Sequence, residues 1–178
     1  DRAGDRGMVE PSPVKRRALE LGVPVRQPTL FDADAATALI ALQPDALVWA
    51  AYGNLIPRRL IDAVSGRALN VHGSLLPRWR GASPVAQAIL AGDRETGVTL
   101  MEGTASLDRG PIVDQGRVLL AGTETAGELT ATLAAMGGAL LRRDLPDYLA
   151  GTRRAEPQAE RGATWAPKLT TKDGELHF

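Results

Sequence analysis

The stretch LNVHGSLLPRWRG, residues 69–81, sets a carboxamide and an imidazole two positions apart, at Asn70 and His72. Side chains at i and i+2 of a β-strand share one face, so these two project together while Leu69 and Val71 turn toward apolar packing. A carboxamide donates hydrogen bonds without changing its protonation state, and an imidazole can donate or relay a proton near neutral pH. The pair therefore has two readings: polar groups that satisfy loop backbone, or half of a catalytic site. A third polar group, Asp108, lies in SLDRGPI, residues 106–112, where an Asp-Arg-Gly sequence by itself reads as a tight turn. The loop SLLPRWRGASP, residues 74–84, combines two leucines, a tryptophan and two arginines with Pro77 and Gly81. Apolar side chains in a loop need either a core or a ligand to cover them.

The elements that must carry these groups follow from punctuation and period. Ser12-Pro13 opens a helix that runs to Gly22, and residues 23–28 read as a short strand closed by Pro28. Residues 32–43 read as an amphipathic helix stopped before Pro44, followed by a buried strand, ALVWAAYG, at 46–53. A helix at 57–65 then leads to the strand RALNVH, residues 67–72. Strands alternating with helices over short connections predict an α/β fold with a parallel sheet, and ligands bind at the carboxyl ends of such strands. Asn70 and His72 stand at one of those ends. Beyond them the pattern predicts a capped helix at 83–92, then strands at 96–102 and 112–120 in a more antiparallel part of the sheet. A long helix to about Tyr148 follows, with Thr125 and Glu128 forming a capping box. The tail from Gly151 shows no sustained period.

Composition narrows the chemistry. The chain has 178 residues, enough for one domain with a real core, and no apolar run approaches a membrane span. No cysteine is present, which removes disulfides, thiolate metal sites and cysteine nucleophiles together. With two histidines, one of them in the terminal tail at His177, no metal site is expected. Lys plus Arg equals Asp plus Glu at 21 each, so any polyanion contact must come from local patches and not from bulk charge. A cytoplasmic protein is the expectation.

Asn70-x-His72-x-Ser74-Leu75-Leu76-Pro77, followed by Asp108 within Leu107-Asp108-Arg109-Gly110, resembles the formyltransferase family that uses 10-formyltetrahydrofolate. PSPVK (residues 11–15), AYGNLIP (51–57), PRWRGASP (77–84) and AGDRETGVTLM (91–101) are similar to its initiator-tRNA branch, more than to members acting on nucleotide-linked amino sugars. The resemblance implies a mostly parallel Rossmann-like sheet with flanking helices. It implies a catalytic domain over residues 1–165 without the family's first strand-helix-strand. Residues 166–178 would begin a linker toward a C-terminal β-barrel.

The implied reaction is formyl transfer to the α-amino group of methionine on initiator Met-tRNA, by a monomer without a metal or membrane partner. Asn70 would donate to the developing oxyanion, an interaction worth roughly 10²–10³ in rate. His72 would serve as donor or proton relay, and Asp108 would orient it. Tyr52, Gly53, Leu55, Ile56, Ser74, Leu75, Leu76 and Pro77 are the folate candidates, with core packing an open alternative for the leucines. Arg2, Arg6, Arg78 and Arg80 are the tRNA candidates; Arg142, Arg143, Arg153 and Arg154 read as a solvated helix end and tail. A non-catalytic folate- or RNA-binding fragment is the alternative from a different class.

Overall fold

The strand that carries Asn70 and His72 lies inside a four-stranded sheet in the larger of two compact units. A computed structural model of the chain describes residues 2–3, 9–28, 31–52, 55–104 and 106–174. The units are Asp1–Ala38 and Leu39–Phe178.

In the smaller unit, β1 (Arg2–Ala3) pairs antiparallel with β2 (Val9–Glu10). Helix α1 (Pro13–Glu20) begins as expected, with the Ser12 hydroxyl accepting from the Lys15 N–H at 3.2 Å and Pro13 at the first turn. The strand expected at 23–28 joins no sheet among the described residues. Pro24 and Pro28 supply no N–H to a ladder, which outweighs the β-branched valines. Helix α2 (Ala33–Ile40), whose last two residues belong to the larger unit, is capped by the Asp32 carboxylate, which accepts from the backbone of Asp34 and Ala35. It ends at Ile40, short of Pro44.

In the larger unit the strand order is β3 (Leu47–Ala50), β4 (Ala68–His72), β6 (Glu95–Glu102) and β7 (Ile112–Leu119). β3 and β4 run parallel, joined through α3 (Arg58–Ala63), while β4–β6 and β6–β7 are antiparallel. The sheet is thus mixed, and its antiparallel half lies where the sequence pattern placed it. Among the described residues β3 is an edge strand, half-buried and not the buried one expected. Leu47 and Trp49 pack against Ile61, Val64 and Ala68, whereas Val48 and Ala50 are exposed. One covered face and one open face produce that alternation.

Two short pieces complete the unit's strands. β5 (Arg80–Gly81) follows the loop after β4, and β8 (Trp165–Ala166) returns from the tail to pair with it in parallel. Between β5 and β6 lies α4 (Pro84–Leu90), where Ser83 makes no cap bond. Its hydroxyl instead accepts from the Leu169 N–H at 3.3 Å.

Helix α5 (Ala126–Leu149) has the expected capping box between Thr125 and Glu128. It lays Leu129, Leu133 and Leu140 against Val98 and Val71, each such leucine contributing roughly 1.5–3 kcal/mol by burial. A side chain at Gly137 would strike Val71 Cγ1 at 2.7 Å, so glycine there lets helix and strand close together. α5 therefore covers the face of β4 that bears Val71, while Leu69 packs with Leu100 and Val113. Asn70 and His72 are left to the opposite face. No helix among the described residues is long and apolar enough to cross a membrane.

Candidate active site

The carboxyl end of β4 brings Asn70 and His72 to Asp108, although 38 residues separate Asn70 from Asp108 in the chain. All three are nearly enclosed, at 7%, 6% and 6% exposure. The Asn70 Nδ2–H donates to Asp108 Oδ1 at 3.2 Å, and the backbone N–H of Gly81 donates to Asp108 Oδ2 at 2.9 Å. His72 Nδ1 lies 3.7 Å from Asp108 Oδ1. Its other nitrogen, Nε2, is 2.9 Å from the carbonyl oxygen of Trp79. A carbonyl only accepts, so Nε2 carries a proton and Nδ1 is the nitrogen left facing the carboxylate. The sequence reading of three groups converging on one point holds in this geometry. It did not anticipate that one N–H of Asn70 is committed to Asp108; an amide carries two, so one remains for a ligand.

Two backbone features shape the site. Asp108 occupies the left-handed region at φ +51°, as does Trp79 at +63°, a conformation that non-glycine residues hold only where surrounding contacts enforce it. Gly81, at φ +119°, lies so close to β8 that a Cβ there would meet the Ala166 carbonyl oxygen at 2.5 Å. Glycine is thus required where the backbone N–H that binds Asp108 is presented.

The loop between β4 and β5 is built mostly from inside. Ser74 is buried, and its hydroxyl donates to the Arg78 carbonyl at 2.6 Å, holding the turn. Leu76 is also buried, with its N–H donated to Thr99 Oγ1 at 3.0 Å and a cis bond to Pro77. Thr99 sits opposite His72 across the β4–β6 ladder. Of the folate candidates in this loop, Ser74 is committed to the turn. Leu75, Leu76 and Pro77 line a cavity of about 410 Å³ beside Trp79, Asp93 and Gln115. Asn70, His72 and Asp108 do not line that cavity. Tyr52 and Leu55 are exposed and Ile56 is half-buried against the Ile61 cluster. They follow β3, which ends at the same side of the sheet as His72 because β3 and β4 are parallel. Gly53 lies outside the described residues.

The arginines separate sharply. Arg78 is exposed, with its guanidinium 4.3 Å above the Trp79 ring and its Nε–H donated to Asp93 at 3.0 Å. That pairing, with a further bond from the Trp79 indole N–H, holds the Asp93 carboxyl below the usual carboxylate range. Arg80, a tRNA candidate by sequence, is 3% exposed. Its Nε and an Nη donate to Gln158 Oε1, and its other Nη to Glu160. A side chain so enclosed holds the loop and does not reach a macromolecule. Arg2 falls in β1, and Arg6 lies outside the described residues. Arg143 is exposed, as expected of a solvated helix end, whereas Arg153 is half-buried. Both pair with Asp114 and with the buried Asp144, whose carboxyl is held below its ordinary range chiefly by the bond from Arg143.

Sequence reasoning missed Gln158, Glu160 and Thr164. The Thr164 hydroxyl accepts from the Trp79 N–H at 2.9 Å, and its carbonyl from the Arg80 N–H at 3.0 Å. The tail carries no period that would single these residues out. Among the described residues no group of histidines and carboxylates is arranged to hold a metal.

An amide, an imidazole and a carboxylate are thus gathered at a strand's carboxyl end in an α/β sheet, and comparison with known proteins supplies the family. Residues 2–145 match the formyl transferase family. The chain belongs to that family. It is 49% identical over 177 residues to the methionyl-tRNA formyltransferase of Rhizorhabdus wittichii, covering 99% of this chain and 56% of that protein. With the methionyl-tRNA formyltransferase of Halorhodospira halophila it shares 45% identity over 177 residues, covering 99% of this chain and 57% of the other. The chain spans little more than half the length of these relatives. Among solved structures it resembles phosphoribosylglycinamide formyltransferase from Bacillus halodurans. The TM-score is 0.68 at 30% identity, over 77% of this chain and 75% of the other.

Proposed function

We propose that this chain carries the catalytic centre of an enzyme transferring the formyl group of 10-formyltetrahydrofolate to the α-amino group of methionine on initiator Met-tRNA. The observation that carries this reading is the enclosed set Asn70–Asp108–His72, built from residues far apart in sequence and held by hydrogen bonds to both carboxylate oxygens. The relatives named methionyl-tRNA formyltransferase support the choice of acceptor. Exposed apolar surface at Tyr52 and Leu55, just past β3, suits a flat folate ring, and Leu75 and Pro77 add apolar lining on the β4–β5 loop.

The folate supplies the formyl group; the residues of this chain manage charge and protons around it. The second N–H of Asn70 is the neutral donor for oxygen that gains negative charge. His72 Nδ1 is the atom that can hold the proton given up by the acceptor amine, since Nε2 is already protonated toward Trp79. A proton arriving at Nδ1 makes an imidazolium 3.7 Å from Asp108, whose charge stabilises it. Arg78, exposed and stacked on Trp79, is our candidate to meet RNA phosphate.

The test is formyl transfer to Met-tRNA by the parent chain and by His72→Ala and Asn70→Ala. Each substitution is expected to lower kcat by about 10²-fold or more. Unchanged rates in both variants would overturn the catalytic assignment. Transfer to a nucleotide-linked amino sugar but not to Met-tRNA would replace the acceptor.

A further inference from the structure

Asp108 is held from behind as well as from the front. Gln158 reaches the 108–110 turn from the tail, and its Nε2 donates to the carbonyl oxygens of Asp108 at 3.0 Å and Gly110 at 2.8 Å. Its Oε1 accepts from Arg80 twice, from Nε at 3.0 Å and from an Nη at 2.9 Å. A carboxamide has two N–H donors and two lone pairs, and all four are used here. The orientation is forced by chemistry: a flipped amide would turn its N–H groups toward a guanidinium and its oxygen toward two carbonyls.

Arg80 in turn is fixed. It is buried, its remaining Nη pairs with Glu160 at 3.2 Å, and its strand partner is Trp165. The next residue, Gly81, gives its N–H to Asp108 Oδ2. One dipeptide, Arg80–Gly81, thus anchors both the side chain of Asp108 and, through Gln158, the backbone of its turn. That double hold accounts for a non-glycine residue resting at φ +51° with its carboxylate aimed at Asn70 and His72.

We propose that Gln158, anchored on Arg80, is a positioning residue for the transfer reaction: it fixes the 108–110 turn so that Asp108 meets Asn70 and His72. The inference rests on the formyl-transfer reading, yet its geometry can be read without turnover. Gln158→Glu keeps the anchor on Arg80, and with it the fold, but replaces both donors by an oxygen facing two carbonyls. Gln158→Met keeps the length and removes every bond.

The chain has two histidines, so the imidazole ¹⁵N resonances of His72 are assigned by a single His177→Gln substitution. Both Gln158 variants are expected to shift the His72 resonances and leave those of His177 in place. They should lower kcat about 10–100-fold, with KM for the folate within about two-fold of the parent. His72 resonances coinciding with the parent's in Gln158→Glu would overturn the proposal, as would a kcat that falls only in step with the folded fraction of the same sample. If the parent itself transfers no formyl group, the functional reading fails while the resonances still decide whether Gln158 positions the site.

Discussion

Replacing Thr99 by valine removes one hydroxyl and leaves shape and strand preference nearly intact, so its cost measures how the loop after His72 is held. Thr99 is fully buried on β6, opposite His72. Its hydroxyl donates to the Ser74 carbonyl at 2.7 Å and accepts from the Leu76 N–H at 3.0 Å and the Gln115 amide at 2.9 Å. In the valine variant Gln115 keeps its second acceptor, the Leu76 carbonyl at 2.9 Å. The Ser74 carbonyl and the Leu76 N–H lose the partners seen here, in surroundings where both residues are buried. An orphaned buried group costs about 1–3 kcal/mol, so partial relaxation of the loop leaves a loss of about 2–4 kcal/mol. For a chain of this size that corresponds to a fall in Tm of about 5–15 °C. Urea unfolding reads the difference through the midpoint at constant slope. Thr99→Ser is the matched control: it keeps the hydroxyl and loses one methyl, for about 1 kcal/mol. A Thr99→Val loss below about 0.5 kcal/mol, or one smaller than that of Thr99→Ser, would refute the assignment of the hydroxyl as the loop's clamp.

Three further outcomes follow from other parts of the structure. At Gly110 an added Cβ would overlap the Glu102 carbonyl, so Gly110→Ala should displace the Asp108 turn, lowering stability by about 1–3 kcal/mol; a crystal structure of the variant with the turn unmoved would count against it. Asp144, buried beside Arg143 and Arg153, has its carboxyl held below the ordinary range. Its contribution is present above the unfolded value of about 4 and is lost as pH falls through the lower folded value. The stability gap between parent and Asp144→Asn should therefore be widest above about pH 5 and close on acidification. A gap independent of pH would contradict the pairing. Arg78→Ala should raise KM for Met-tRNA and not for the folate, and reduce the salt slope of RNA binding by about 1; equal changes in both KM values would remove Arg78 from the RNA contact.

The parts of the molecule legible in sequence are those decided within a few residues. Ser12 and Thr125 cap their helices because the accepting oxygen and the donating N–H lie three positions apart. Asn70 and His72 share a face because strand geometry alternates side chains, and the fact that Leu69 and Val71 pack away from them needs no knowledge of what covers the sheet. The burial of β3 was misread because an apolar run looks the same on an edge strand as in a sheet's centre. The strand expected at 23–28 failed on a local rule: two prolines outweighed two valines.

Sequence alone therefore determined the chemistry of the site: an amide and an imidazole on one strand face, an aspartate in a turn, and no thiol anywhere. Tertiary structure decided how those groups are tied together. It committed one N–H of Asn70 to Asp108, turned His72 Nδ1 toward that carboxylate, and drew Arg80 inward onto Gln158 and Glu160. The physical reason is distance along the chain. The bond from Asn70 to Asp108 spans 38 residues, across the paired strands β4 and β6, and that from Arg80 to Gln158 spans 78, beside the pairing of β5 with β8. Composition and period carry no trace of such contacts; the closed fold supplies them.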